Sequence, residues 1–437
     1  MKMTTDGLTR DALLAQYQSS GRPRAGWLVG AEFERHLLDE HGRPLRYHVP
    51  HGIRWMLESL AAHRGELVYE AEYPIALSRE RASVTLEPGG QFELSGSPHA
   101  TLQPIHDEAA EFSEEVEGLL GDDGIHQVAI GFTPFTRITD IEWVPKGRYA
   151  MMKEHLGRTG RLAHHMMKGT AAIQATYDYA DEADAARKVG LATRLGPLTT
   201  AMFANSPWAE GQASGFMSYR GHIWTQTDPA RTGLPDSVEA FSFERWLDYL
   251  LGVPMMFVKD DGRYVPANGQ TFGQWMAGGR SRAPTWDDWD LHLTSVFPEV
   301  RVKHTIEVRG ADCVPLPLAM SFVGLFKGLF YCDIALEAAT EMVERFVRHG
   351  TKDERFAIAC RDGLQGEIGG RKLVSWAEEL VQMADGALQR CAPEDRAWLR
   401  PLAAQIYRGE SPARTLLRTY GPEPSPDALL ASSHVVG

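Results

Sequence analysis

Polar and apolar residues alternate with a period of two in several short stretches of the chain, and each time acids or amides gather on one side. In "GWLVGAEFERHLLDE" the alternation sets Glu32, Glu34 and His36 against Phe33 and Leu37, as a strand with one buried face requires. In "GGQFELSG", Gln91, Glu93 and Ser95 share the face opposite Phe92 and Leu94. "AAIQATYDY" opposes Gln174, Thr176 and Asp178 to Ile173, Ala175 and Tyr177, and "HTIEVRGAD" opposes Thr305, Glu307 and Arg309 to Ile306 and Val308. Elsewhere the period lengthens to that of a helix. Ile105, Phe112, Val116 and Leu119 recur at such spacing over residues 104 to 120, and the pattern returns near 335 to 348 and 372 to 390. The C-terminal third is predicted to be mainly helical.

One wet face is ordinary for an antiparallel sheet, so a single Glu-x-Glu says little. The set says more. Carboxylates on neighbouring strands repel unless a positive charge lies between them, and the first two stretches carry no matching row of Lys or Arg. Mg²⁺ would supply that charge, because it takes carboxylate and water oxygens together with substrate phosphates. In "LEPGGQFELSGSP", Glu87 precedes Pro88, which biases it to an extended backbone, and two glycines then allow a tight turn beside Glu93.

Composition narrows the class. The 437 residues carry a formal net charge of -13, which argues against a broad phosphate-backbone footprint and so against a nucleic-acid partner. "CVPLPLAMSFVGLFKGLFYCDIAL" is broken by Pro315, Pro317, Lys327 and Asp333 and reads as a buried helix, not a membrane span. The N-terminus lacks the apolar core of a signal peptide, and the 4 cysteines form no C-x-x-C, so a reduced, cytoplasmic protein is expected. There is no G-x-x-x-x-G-K-[ST], no G-x-G-x-x-G after a strand and no H-E-x-x-H, and "GQASG" misses the nucleophile-elbow pattern. The histidines at 41, 48, 51, 164 and 165 match no common zinc spacing.

"GAEFE", "LEPGGQFELSGSP", "KGRYAMM", "FANSPWAEG", "GFMSYRGHIWTQTDPARTG" and "FPEVRVKHTIEVRGAD" occur in this order over about residues 25 to 335. Together they resemble the glutamate-cysteine ligases of plant and proteobacterial type, and "GTAAIQA" is also similar to the actinobacterial branch that feeds ergothioneine synthesis. The resemblance implies an α+β fold: an antiparallel sheet curled into a funnel with helices outside, like the catalytic domain of glutamine synthetase. Residues 1–437 would form a single catalytic domain, with the funnel mainly within 25–335, a helical part at 335–420 and a loose tail at 421–437. It further implies ATP- and Mg²⁺-dependent ligation of glutamate to cysteine through γ-glutamyl phosphate, by a monomer or homodimer acting on small molecules.

Phosphoryl transfer asks for positioning and charge neutralisation more than for a protein nucleophile. Glu32, Glu34, Glu87, Glu93 and Glu307 are the metal-ligand candidates. Arg309 shares a strand face with Glu307, and its planar guanidinium suits contact with the transferring phosphate. Arg309 and Glu87 are therefore the expected catalytic residues. By similarity, Arg148 and Arg220 would hold the carboxylates of glutamate, Trp224 would wall the pocket and Gln174 would contact substrate.

The chain departs from the plant pattern in two places. Plant members carry a cysteine pair in a hairpin that ties redox state to activity, whereas the matching "YVPANGQTFGQWMAGGRSRAP" has no cysteine, so no disulfide switch is expected there. Ala171 and Thr176 stand near positions where plant members have a cysteine and an asparagine, which leaves the acceptor open. A γ-glutamyl ligase using another amine, or a nucleotide-binding regulatory relative without turnover, are the alternatives.

Overall fold

The computed structural model describes residues 8–121, 124–235 and 240–431. Its centre is an antiparallel sheet of nine strands. In chain order these are β1 (Val29–Leu38), β2 (Glu66–Glu70), β3 (Tyr73–Ser78), β4 (Ser83–Leu86), β5 (Phe92–Ser95), β6 (His126–Val128), β7 (Ala172–Tyr177), β8 (Val300–Val302) and β9 (Ile306–Asp312). The spatial order is β8-β9-β7-β1-β5-β4-β3-β2, with β6 on the far half of β1. The four stretches with period-two patterning thus become adjacent strands, β9-β7-β1-β5. The sheet stays open, ending at β8 and β2, and is surrounded by helices.

Register turns the alternation into a surface. Phe33 lies opposite both Leu94 and Ile173, which are buried, so one face belongs to the core. On the other face Glu32 is flanked by Ser95 and Gln174, Glu34 lies directly opposite Glu93, and Glu307 lies between Thr176 and Arg301. A β-bulge between Val308 and Ala311 shifts the register of β9 against β7. Two members of the expected polar face are elsewhere. His36 sits beyond the end of β5, opposite Val128, and burial lowers its pKa to about 3. Asp178 lies past the end of β7, accepting the Leu28 N–H at 2.7 Å and pairing with Arg22 at 3.2 Å.

The expected helices form at Gln103–Leu120, Asp333–Val347 and Leu373–Cys391. The apolar run becomes the helix Leu316–Phe330, started by Pro315 and Pro317 and buried along nearly its whole length. It packs under the sheet, where Tyr177 Oη donates to the Val323 carbonyl at 2.9 Å. Lys327, the charge that interrupts the run, is matched inside the protein by Asp395. Among the described residues no single helix is long and apolar enough to cross a membrane.

The expected loose tail is corrected in its described part. Residues 426–430 form a short helix whose Leu429 and Leu430 are buried against Leu38, Val128, Ile130 and Trp208. Burying those side chains fixes a segment that the Pro-rich sequence before it disguises. Residues 432–437 lie outside the described residues. The cysteine-free stretch begins within the second strand of the hairpin Phe257–Asp260/Arg263–Pro266 and continues into the helix Phe272–Met276.

Candidate active site

The turn between β4 and β5 sets the geometry of the acidic corner. The Glu87 N–H donates to the Gln91 carbonyl and the Gly90 N–H to the Glu87 carbonyl, both at 2.9 Å, and Gly90 has φ 89°. A Cβ on Gly89 would stand 2.1 Å from the Lys168 carbonyl oxygen, so only glycine fits against that backbone. Gln91 does not face the cavity as its alternation suggests. It is buried and clamps the turn, accepting from the Gly89 N–H at 3.0 Å and donating to the Thr170 carbonyl at 2.7 Å.

Around this turn the expected residues gather. Glu32, Glu34, Glu87 and Glu93 line one cavity of about 220 Å³ together with Arg148, Gln174, Arg220, Trp224 and Arg309. Arg148 comes from the helix Gly147–Thr159, and Arg220 and Trp224 lie one turn apart on the helix Tyr219–Thr225. Nε of Arg148, Nε of Arg220 and the indole N–H of Trp224 are buried donors with no partner within the protein. Such donors are costly unless an acceptor arrives, and a carboxylate is the acceptor that suits guanidinium.

The carboxylates divide into two electrostatic kinds. Burial, then the charges of Glu93 and Glu307, push the Glu32 pKa up to about 8. Burial first, then Glu87 and Glu93, hold Glu34 well above the usual carboxylate range, even though it accepts from the Ala172 N–H at 2.7 Å and from Gln174 Nε2 at 3.1 Å. Glu93 is raised by burial and by Glu87, and accepts from Thr85 Oγ1 at 2.8 Å. A group of acids that raise one another's pKa is a site built to receive positive charge.

Glu307 is the other kind. It does not line the cavity but sits behind Arg301 and Arg309, taking two bonds from Arg301, at 2.6 and 3.0 Å, and one from Arg309 at 2.5 Å. Burial opposes its ionisation, but Arg301, Arg309 and Lys303 outweigh that and hold its pKa below the ordinary value. The metal-ligand role expected of Glu307 is therefore not what this arrangement displays: both of its oxygens anchor arginines. Arg309 also donates to Gln174 Oε1, so Gln174 bridges Glu34 and Arg309. Among the described residues no group of three or more His, Cys, Asp or Glu side chains is gathered closely enough to hold a metal ion unaided.

Sequence reasoning passed over Arg301 and Lys303, which line the cavity's basic side, and Tyr149, which donates to the Leu86 carbonyl at 2.6 Å next to Glu87. Arg301 and Lys303 alternate with Val300 and Val302, a signal present in "EVRVKH". A wall of Met152, Met166 and Met167 completes the cavity and carries no comparable signal.

Residues 28–430 match glutamate-cysteine ligase family 2 (GCS2). The chain belongs to this family. It is 35% identical over 436 residues to the chloroplastic glutamate–cysteine ligase of Brassica juncea, spanning 96% of this chain and 83% of that one. It is 34% identical to the Arabidopsis thaliana enzyme, spanning 96% and 81%. Among solved structures it is similar to the glutamate–cysteine ligase of Francisella tularensis in complex with AMP, with TM-score 0.55 and 12% identity over 93% of this chain and 87% of that one. The bifunctional glutathione synthetase of Pasteurella multocida gives the same TM-score and identity over 93% of this chain and 51% of that one. At such identities the likeness is one of fold. Membership in the family agrees with a cavity that opposes acids to unpaired arginine donors.

Proposed function

We propose that this ligase joins the γ-carboxylate of glutamate to the amine of cysteine, using ATP and passing through γ-glutamyl phosphate. The observation that carries the reading is the division of one cavity into an acidic corner and a basic wall with unsatisfied donors. Arg148 and Arg220 hold the carboxylates of glutamate, with Trp224 as the wall behind them and Gln174 at the boundary between acids and Arg309. Arg309, backed by Glu307, faces the transferring phosphoryl group, where a preorganised cation stabilises charge with little reorganisation. Arg301 and Lys303 extend that positive surface.

The acidic corner fits Mg²⁺, since it offers several carboxylates whose ionisation is suppressed until a cation compensates them. Glu32, Glu34, Glu87 and Glu93 would hold Mg²⁺ in ones and twos, with nucleotide phosphates and water completing each ion's shell. When bound, Mg²⁺ neutralises phosphate charge. Glu307 would join them only after phosphate oxygens draw its arginines away.

The γ-carboxylate oxygen attacks the γ-phosphorus of ATP and ADP leaves; the cysteine nitrogen then attacks the acyl carbon and phosphate leaves. Incubation with ATP, Mg²⁺, glutamate and cysteine should release ADP and yield a product with the mass of γ-glutamylcysteine. Strong preference for 2-aminobutyrate or another non-thiol amine would shift the acceptor, and ATP binding without ADP release would leave a regulatory relative. The same reading has the enzyme working on small molecules in the cytoplasm, without nucleic-acid or membrane partners, as a monomer or homodimer. Cell fractionation and size-exclusion chromatography check those points.

A further inference from the structure

Past Arg309, the strand β9 ends in a buried acid that does not line the cavity. Asp312 is 1% exposed, and its carboxylate is fully engaged from one direction. Oδ2 accepts from Ser206 Oγ at 2.6 Å and from the Asn205 N–H at 2.8 Å; Oδ1 accepts from Ser218 Oγ at 2.8 Å. Both hydroxyl protons therefore point at Asp312. The lone pairs left on the two oxygens receive backbone donors from the helix Tyr219–Thr225: Ser206 Oγ accepts the Arg220 N–H and Ser218 Oγ the Gly221 N–H, each at 3.0 Å.

That helix carries Arg220 and Trp224, and its first turn is held by these two arms together with the Tyr219 N–H, which donates to the Ser206 carbonyl at 3.1 Å. The Arg220 guanidinium is held from the same strand, donating to the Arg309 carbonyl at 3.0 Å with Asp312 Oδ1 at 3.9 Å. Asn205 anchors the arrangement from the other side, donating from Nδ2 to the carbonyls of Ala129 and Cys313 at 2.9 and 2.8 Å.

From this connectivity we infer that Asp312 is a positioning residue for glutamate recognition, orienting Ser206 and Ser218 so that they fix the helix bearing Arg220 and Trp224. One carboxylate sets the polarity of two hydroxyls, and those hydroxyls set where the guanidinium and the indole stand. The strand that presents Arg309 to phosphate thereby also registers the wall that receives the amino acid: Arg309 lies within the bulge between Val308 and Ala311, and Asp312 lies just past it. This inference rests on the ligase reading and on glutamate lying at Arg220.

The test compares Asp312→Asn, Ser218→Ala and, as reference, Arg220→Lys in the full chain, measuring KM for glutamate, KM for ATP, kcat and thermal melting. Asp312→Asn removes the charge that orders the hydroxyls, and Ser218→Ala removes one arm with little change in volume. Both should raise KM for glutamate about tenfold while KM for ATP moves less than about twofold and kcat less than about threefold. A purely structural acid would lower the melting temperature and leave the two KM values in their original ratio. If Arg220→Lys weakens glutamate and the other two do not, the positioning role is overturned and the ligase reading stands. If Arg220→Lys leaves KM for glutamate unchanged, glutamate does not lie there and the inference falls with that placement. Failure of the unsubstituted enzyme to form γ-glutamylcysteine would overturn the reading itself. Should Asp312→Asn not fold, Ser218→Ala alone decides the outcome.

Discussion

Glu32 and Glu307 are the same side chain on strands separated only by β7, yet their proton affinities move in opposite directions. Glu32 is raised first by burial and then by the charges of Glu93 and Glu307, and the opposing pull of Arg301 and Arg309 is weaker. Glu307 faces Arg301, Arg309 and Lys303, and burial loses to them. The difference shows that the cavity is asymmetric before any ligand arrives. Its acidic end is under-compensated, because burial and mutual repulsion outweigh the nearby cations, whereas its basic end is already compensated from within.

The sharpest way to break the comparison is Glu87→Gln. It removes charge from the under-compensated end without removing bulk, so turnover should fall roughly 10²- to 10³-fold while circular dichroism stays that of the parent. Near-parental turnover would undo the assignment of that corner. Glu307→Gln should instead damage the protein itself, because it leaves Arg301 and Arg309 side by side without their counter-charge. A loss of about 3 kcal/mol is expected in urea unfolding, together with lower activity. An unchanged unfolding midpoint would mean that the pairing contributes nothing.

Protons sharpen the same contrast. A carboxyl whose pKa stands higher in the folded chain than its ordinary 4.5 binds more protons when folded, so its favourable contribution is complete below about 4.5 and is lost as pH climbs to about 8. Mg²⁺ bound at the proposed site would have to displace that proton. Its affinity should therefore rise with pH up to about 8, by no more than about tenfold per unit for this one group, with proton release visible as a buffer-dependent heat. Affinity falling over that range would contradict the assignment. The smallest effect is expected from Glu32→Gln, which mimics the protonated acid. Without metal it should melt like the parent at pH 5 and be more stable by about 1 kcal/mol at pH 9, after allowance for solvent screening. A lower stability at pH 9 would place a hidden cation at Glu32.

Much of this was legible in the chain because a period of two assigns faces without knowledge of neighbours. Glu32, Glu34 and Glu93 could be placed on the wet side from Phe33, Phe92 and Leu94 alone. Alternation does not reveal which residue stands opposite which. That Glu34 meets Glu93 while Glu307 meets Arg301 depends on cross-strand register, set by contacts far apart in sequence. The role of Gln91 stayed hidden for the same reason, since its partner Thr170 is 79 residues away. Leu429 and Leu430 were read as tail because a short apolar pair after "GPEPSP" has no periodicity to display.

The fit of Gly89 against the Lys168 carbonyl and the reach of Gln91 to Thr170 also bear on the order of assembly. A local hairpin of β4 and β5 can form early, but its turn reaches final shape only when the segment around 168 to 170 has docked against it. The turn that carries Glu87 and the segment following Met166 and Met167 thus reach their final shape together. During synthesis, a nascent chain that has emerged only as far as β5 holds all four acids of the corner but not the segment that fixes the turn between β4 and β5.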